Sequence, residues 1–205
     1  MMKIHSRLSA RAALAVLGAA TLMLSGCVKF GTKPPPQLLT LTAAKHPDAG
    51  ASLSSENVPS LTVMMPEVPR KLANVRVPVQ INATTVAYVK DAQWTEAPRA
   101  LFQDLLAQTI AADGQFFVLA ETQYSVKPGQ KLSGELVDFG IDAQTDEAVV
   151  TYDAILIVGD GAPARKQRFT ARVPVRDIKA KYVAQPINEA ANDVAAQVAE
   201  WVKGE

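Results

Sequence analysis

Residues able to do acid–base, nucleophilic or metal chemistry are few in this chain of 205 residues, which has two histidines, His5 and His46, and one cysteine, Cys27. Histidine is the commonest general acid or base near neutral pH. His5 stands in a basic leader and His46 in the loop-like stretch "AAKHPDAG", and no G-x-S-x-G turn supplies a nucleophile. Ser133, in "KLSGEL", falls inside a strand-like run. Carboxylates gather once, as Asp138, Asp142, Asp146 and Glu147 around "DFGIDAQTDE". With neither thiolate nor imidazole beside them they would suit only a hard, oxygen-seeking cation, and the same residue types favour hairpin tips through their turn propensity. "GDG" at 159–161 lacks the following helix and lysine of a phosphate cradle, and "DFG" at 138–140 has no catalytic or glycine-rich loop to accompany it. The expectation is no catalytic residue, no metal site and no bound cofactor.

Cys27 has a different chemistry open to it. Met1 to Arg11 carries Lys3, Arg7 and Arg11 without an acid, Ala12 to Met23 is almost wholly apolar, and Leu24, Ser25 and Gly26 lead directly into the thiol. A charged segment followed by an apolar one has the form of an export signal, and the apolar run falls short of the ~20 residues that a spanning helix needs. "LSGC" resembles the bacterial lipobox, in which small residues fit a peptidase cleft and the cysteine thiol accepts diacylglycerol before cleavage in front of it. The expected modification of Cys27 is an S-diacylglycerol with an N-acyl chain such as palmitate. Each buried methylene adds ~0.8 kcal/mol, so several chains on one residue anchor where a single myristoyl group would not. The expected divisions are a signal peptide over 1–26, a lipidated proline-rich tether over 27–36 and one folded domain over 37–205.

Without the signal, 179 residues remain, with 18 Lys+Arg against 20 Asp+Glu, and this slightly acidic balance makes no general case for nucleic acid. No free thiol is left to form a disulfide, so the domain rests on its core. Against that background residues 165–181 hold seven basic side chains, Arg165, Lys166, Arg168, Arg172, Arg176, Lys179 and Lys181, and a single acid, Asp177. In extended geometry Arg168, Arg172 and Arg176 share one face opposite an apolar set. That row reads either as a solvated outer sheet face or as a docking ridge for an acidic partner or anionic headgroups.

The elements that must carry these residues follow from periodicity. "VKFGTKPPPQ" is extended, and Val28 to Pro36 reaches at most ~30 Å at about 3.3 Å per residue. Gln37–Leu41 reads as a first short strand, Thr42–Ser60 as a long loop, and Leu61–Met65 as a strand ended by Pro66 and Pro69. "VRVPVQI" and "TTVAYVKD" form a hairpin around Asn82, the second with Val86 and Tyr88 on one face and Thr85, Ala87 and Val89 on the other. "WTEAPRALFQDLLAQTIAADGQ" is a helix with Thr95 as cap, Glu96 and Pro98 in its first turn, an apolar stripe of Leu101, Phe102, Leu105, Leu106 and Ile110, and Gly114 as its stop. "FFVLA" is a short strand, and three strand-like runs follow the turn "KPGQ" at 127–130. The apolar face of "AVVTYDAILIV" is Val150, Tyr152, Ala154, Leu156 and Val158; that of "RFTARVPV" is Phe169, Ala171, Val173 and Val175, with "GDGAP" as the hairpin link. A final helix starts at Pro186 and repeats Ile187, Ala190, Ala191, Val194, Val198 and Trp201. Strands in a block with two amphipathic helices predict an α+β domain: an antiparallel sheet with both helices on one face.

The stretch "LTVMMPEVPRKLANVRVPVQINATTVAYVKDAQWTEAPRALFQDLLAQTI" resembles the ABC-type transport auxiliary lipoproteins, the PqiC-like family found with MCE-domain lipid-transport systems. The similar features are P-x-V-P-x-x-L from Pro66 to Leu72, the "VAYVK" strand and the "WTEAP" start of a leucine-rich helix; the likeness spans most of Gln37 to Val202. The resemblance implies a non-enzymatic, periplasm-facing lipoprotein, held to its membrane by lipid, that assists a transporter moving lipids between inner and outer membranes. Its implied partners are an MCE-domain protein, a permease and an ATPase, and homo-oligomerisation is left open. Trp94, Glu96 and Pro98 match the family pattern, where a buried aromatic, a capping acid and a helix start are their simplest roles. Val28 after Cys27, instead of Asp, resembles the enterobacterial pattern for sorting to the outer membrane. A lipopolysaccharide-assembly plug lipoprotein is the alternative with the same anchor and fold class, and an envelope hydrolase is the alternative of a different class.

Overall fold

The computed structural model describes residues 37–120, 129–159 and 163–204. In chain order these form β1 (Ser60–Val63), a 3-10 turn (Arg70–Leu72), β2 (Arg76–Asn82), β3 (Thr85–Gln93), α1 (Pro98–Ala111), β4 (Phe117–Ala120), β5 (Gln130–Asp142), β6 (Glu147–Ile157), β7 (Arg165–Pro174) and α2 (Ala180–Lys203). The strands make a single α+β sheet, and its direction is mixed instead of antiparallel. β2–β3, β5–β6 and β6–β7 are antiparallel pairs, but β1 runs parallel to both β4 and β5, and β2 parallel to β5. Short links force antiparallel neighbours, whereas a crossover returns the chain in the same direction. Pro66 and Pro69 end β1 before it can turn into a hairpin, so its neighbours arrive only after the β2–β3 hairpin and α1. Alternation along a strand tells which face is buried and says nothing of a neighbour's direction. The one local hint was β1 itself, buried at all four positions as parallel interior strands are.

Several boundaries move. The expected strand over Gln37–Leu41 is reduced to a single parallel bridge between Leu39 and Trp94, with the Leu39 amide donating to the Gln93 carbonyl at 2.7 Å. The hairpin around Asn82 forms, but Thr85, Val86 and Ala87 are all exposed, so the expected two-faced alternation of β3 starts only where Val89 and Ala92 reach the core. Between them Asp91 takes a left-handed conformation (φ 57°) in a bulge, a position that Asp tolerates better than most residues. Val158 lies past the end of β6 and is 47% exposed, while Val150, Tyr152, Ala154 and Leu156 are buried as expected.

α1 starts at Pro98, where the missing amide costs nothing, with Ala97 as its N-cap and no side-chain cap; Thr95 therefore lies outside the capping position assigned to it. Its stripe Leu101, Phe102, Leu105, Leu106 and Ile110 is buried, and Gly114 (φ 66°) lets the chain leave. The Phe102 ring meets Tyr152 at 5.3 Å and Phe139 at 6.4 Å, and Trp94 meets Phe139 at 5.3 Å, so one aromatic cluster joins helix, sheet and the β3–α1 junction. α2 begins six residues before Pro186, at Ala180, and carries the proline inside it. Val183 lies one turn before Ile187 on the same buried stripe, so burial continues the helix through the proline. Both helices feed one core with the sheet.

Candidate anchor and docking surfaces

Cys27 and its flanking Leu24, Ser25 and Gly26 lie outside the described residues, as do Lys127 and Pro128 of "KPGQ" and the centre of "GDGAP". The structure does show how the chain that follows the tether is fastened. Beyond the Leu39 bridge, a strap runs over α2 and is held by two asparagines one turn apart. The Thr42 amide donates to Asn188 Oδ1 at 2.8 Å, the Ala44 amide to Asn192 Oδ1 at 2.7 Å, and Asn192 Nδ2 to the Thr42 carbonyl at 3.0 Å. Ala43, between them, is buried. Neither asparagine was singled out from sequence; the available signal was amides four residues apart beside the apolar stripe of a helix.

The arginine row keeps its expected register over the strand. Phe169 is buried on one face of β7, and Arg168, Thr170 and Arg172 are exposed on the other. These guanidiniums are not bare charges. Arg168 Nε and Nη2 donate to the two carboxylate oxygens of Asp153 at 2.5 and 2.8 Å, a bidentate pair across β6–β7. Arg172 Nη1 donates to Glu147 Oε2 at 3.0 Å and to Asp142 Oδ2 at 3.4 Å. Asp153 is buried, and Arg168 holds its carboxyl below the ordinary carboxylate range; Arg172 does the same for Glu147. Asp153 was legible only as one acid inside the apolar run "VVTYDAILI", a placement that calls for a cationic partner. Arg176 departs from the row: β7 ends at Pro174, and Arg176 turns over the Tyr182 ring at 5.3 Å instead.

The carboxylates considered for a cation are answered in part by the protein's own cations. Lys71 Nζ lies 2.6 Å from Asp138 Oδ1, and Asp142 and Glu147 share Arg172. These pairs border an open cleft of about 340 Å³ that also includes Gln80, Gly140 and Val149. Gly140 is required there, since any Cβ would run into the Pro78 carbonyl oxygen. His46 is exposed in its loop with Nδ1 3.2 Å from the Pro47 carbonyl oxygen, and Ser133 lies within β5. Burial pushes the Tyr152 hydroxyl well above the usual phenol range, which keeps it neutral within the aromatic cluster.

A family model described as "ABC-type transport auxiliary lipoprotein component" matches residues 39–199. Among solved structures, a Xanthomonas campestris protein assigned to the DUF330 family model superposes with a TM-score of 0.67 at 17% identity, covering 80% of this chain and 94% of its own. A crystal structure of an uncharacterized protein superposes with a TM-score of 0.57 at 12% identity, covering 82% and 99%. At these identities the two structures support the fold. No curated protein matches the chain.

Proposed function

The chain belongs to the family of ABC-type transport auxiliary lipoprotein components, and from that membership we propose that it is a non-enzymatic accessory of an MCE-type system carrying lipids between the two membranes of the envelope. The observation that carries the proposal is the extent of the family match: residues 39–199 take in every described strand, α1 and all but the last turn of α2, and they begin just behind "LSGC" and the proline-rich tether. On this reading Cys27 bears the lipid, the domain faces the periplasm from the outer membrane, and an MCE-domain protein, a permease and an ATPase are its partners. Such a chain contributes position. The strap held by Asn188 and Asn192 passes the pull of the anchor into α2 and so into the core. Arg168 and Arg172, exposed on β7 and backed by carboxylates, form the face offered to a partner, where arginine gives more specificity than affinity.

Isolation of the membrane-extracted chain under mild detergent tests the proposal: the MCE-domain component should co-purify with it in amounts that survive gel filtration. Co-purification with an outer-membrane barrel in its place would support the lipopolysaccharide-assembly alternative and overturn this one.

A further inference from the structure

We infer that the junction between β7 and α2 is a second membrane contact: Arg176 and Lys181, arranged around Tyr182, bind the anionic phosphate headgroups of the same membrane that holds the lipid on Cys27. The inference rests on the proposed acylation of Cys27 and adds a surface to it.

Charge is the first observation. Of the seven basic residues between 165 and 181, Arg168, Lys166 and Arg172 face carboxylates, Lys179 lies 2.6 Å from Asp177, and Arg165 donates to the Trp201 carbonyl at 2.6 Å with its guanidinium carbon 4.9 Å from the Trp201 ring centroid. Arg176 and Lys181 share one aromatic ring, the guanidinium carbon 5.3 Å and the ammonium 4.5 Å from the Tyr182 centroid, with Asp177 as the nearby acid that Lys181 also acts on. Both are exposed, and they border a shallow hollow of about 300 Å³ with Val173, Pro174 and Tyr182, where Glu189 is the lining acid. Cations beside a half-buried aromatic ring and aliphatic carbon match a headgroup layer, where phosphate meets the first methylenes.

Direction is the second. The strap pairs Thr42 with Asn188 and Ala44 with Asn192, so it runs the same way as α2. The steps agree: two extended residues advance about 6.6 Å and four helical residues about 6 Å. Upstream of Thr42 the chain therefore heads towards the N-terminal end of α2. Ala180 is eight residues before Asn188, about 12 Å along the helix, and Gln37 is five residues before Thr42, at most about 17 Å along an extended chain. Gln37, where the described chain begins, is therefore carried towards the end of α2 that bears Arg176 and Lys181, and Leu38 beside it is 54% exposed. Nine tether residues allow at most ~30 Å to Cys27, so on the proposed acylation this end of α2 is within the anchor's reach of the membrane. An acidic protein would satisfy the charge but not this position.

The test uses the chain from residue 27 onward with Cys27→Ser, so that acyl chains do not mask a weaker contact, in sedimentation with phosphatidylcholine vesicles with and without phosphatidylglycerol. Binding should require phosphatidylglycerol, decline as salt rises, and weaken about fivefold for each basic side chain removed in Arg176→Ser and Lys181→Ser. Lys90→Ser with Lys131→Ser, which removes equal charge from the strands, should leave binding near the parent value. Equal binding to both vesicle types, or equal loss in the two double variants, would overturn the inference, as would retention of Arg176 and Lys181 for an acidic partner protein alone. Mass spectrometry of the chain isolated from cells reports acylation separately: an unacylated native chain that still binds anionic vesicles through Arg176 and Lys181 fails the anchor proposal and keeps the headgroup contact, but not its placing on an anchor's membrane.

Discussion

Asp153 is a carboxylate on a strand whose neighbours are almost all apolar, and it is tolerable there because Arg168 lies directly opposite it in the β6–β7 register. A folded-state pKa held below the unfolded value, about 3.9 for aspartate, means the pair contributes stability above that pH and loses it as pH falls through the folded value. Asp153→Asn should therefore lower the urea midpoint most above about pH 5, with the gap from the parent closing as the carboxyl protonates. A gap that stays constant into strong acid would assign the loss to packing instead. Glu147 beside Arg172 and Asp113 beside Lys203 are depressed in the same direction, so acid should weaken the β6–β7 face and the end of α2 together.

At the scale of elements, α2 is the piece whose behaviour departs most from its local signals. Proline inside a helix removes one backbone hydrogen bond and crowds the preceding turn, yet the helix runs from Ala180 through Pro186 to Lys203. Its first turns are kept by the burial of Val183 and Ile187 and by the core that Ala190, Ala191, Val194 and Val198 enter. If tertiary burial is overriding a local penalty, relieving the penalty should show. Pro186→Ala is expected to stabilise the domain by about 2 kcal/mol, the helix-interior cost of proline less the entropy it removes from the unfolded chain. Denaturant midpoints measure it; a loss of stability would mean that contacts of the pyrrolidine ring outweigh the missing hydrogen bond. The strap belongs to the same scale, for Asn188 and Asn192 satisfy backbone groups of a segment that has no strand partner of its own there.

For the whole molecule, the proposed lipid on Cys27 and the proposed headgroup contact at Arg176 and Lys181 are two separable holds on a membrane. Fractionation separates the contributions. The parent chain should stay with membranes through a high-salt wash, since covalent lipid is insensitive to screening. The Cys27→Ser chain should be released by that wash, because the contact left to it is electrostatic. A Cys27→Ser chain that resists salt would show that something other than lipid holds it.

How much of this was readable beforehand depends on whether the determining interaction is local. The lipobox-like "LSGC", the apolar stripe from Leu101 to Ile110, the β2–β3 turn at Asn82 and the two-faced pattern of β7 are properties of neighbouring residues, so the sequence alone determined them. The parallel placing of β1 beside β4 and β5 is a matter of chain path, which no strand records in its own residues. The same holds for the arginines. Sequence supplied their exposed face, but their carboxylate partners come from strands 15 to 30 residues away, and Arg176 left the row because the strand stopped at Pro174. Charge along a chain is additive and visible, whereas neutralisation depends on which acids the sheet brings across. Only the tertiary structure could decide that three of the seven basic residues would stand against a ring instead of a carboxylate, Arg165 over Trp201 and Arg176 and Lys181 over Tyr182.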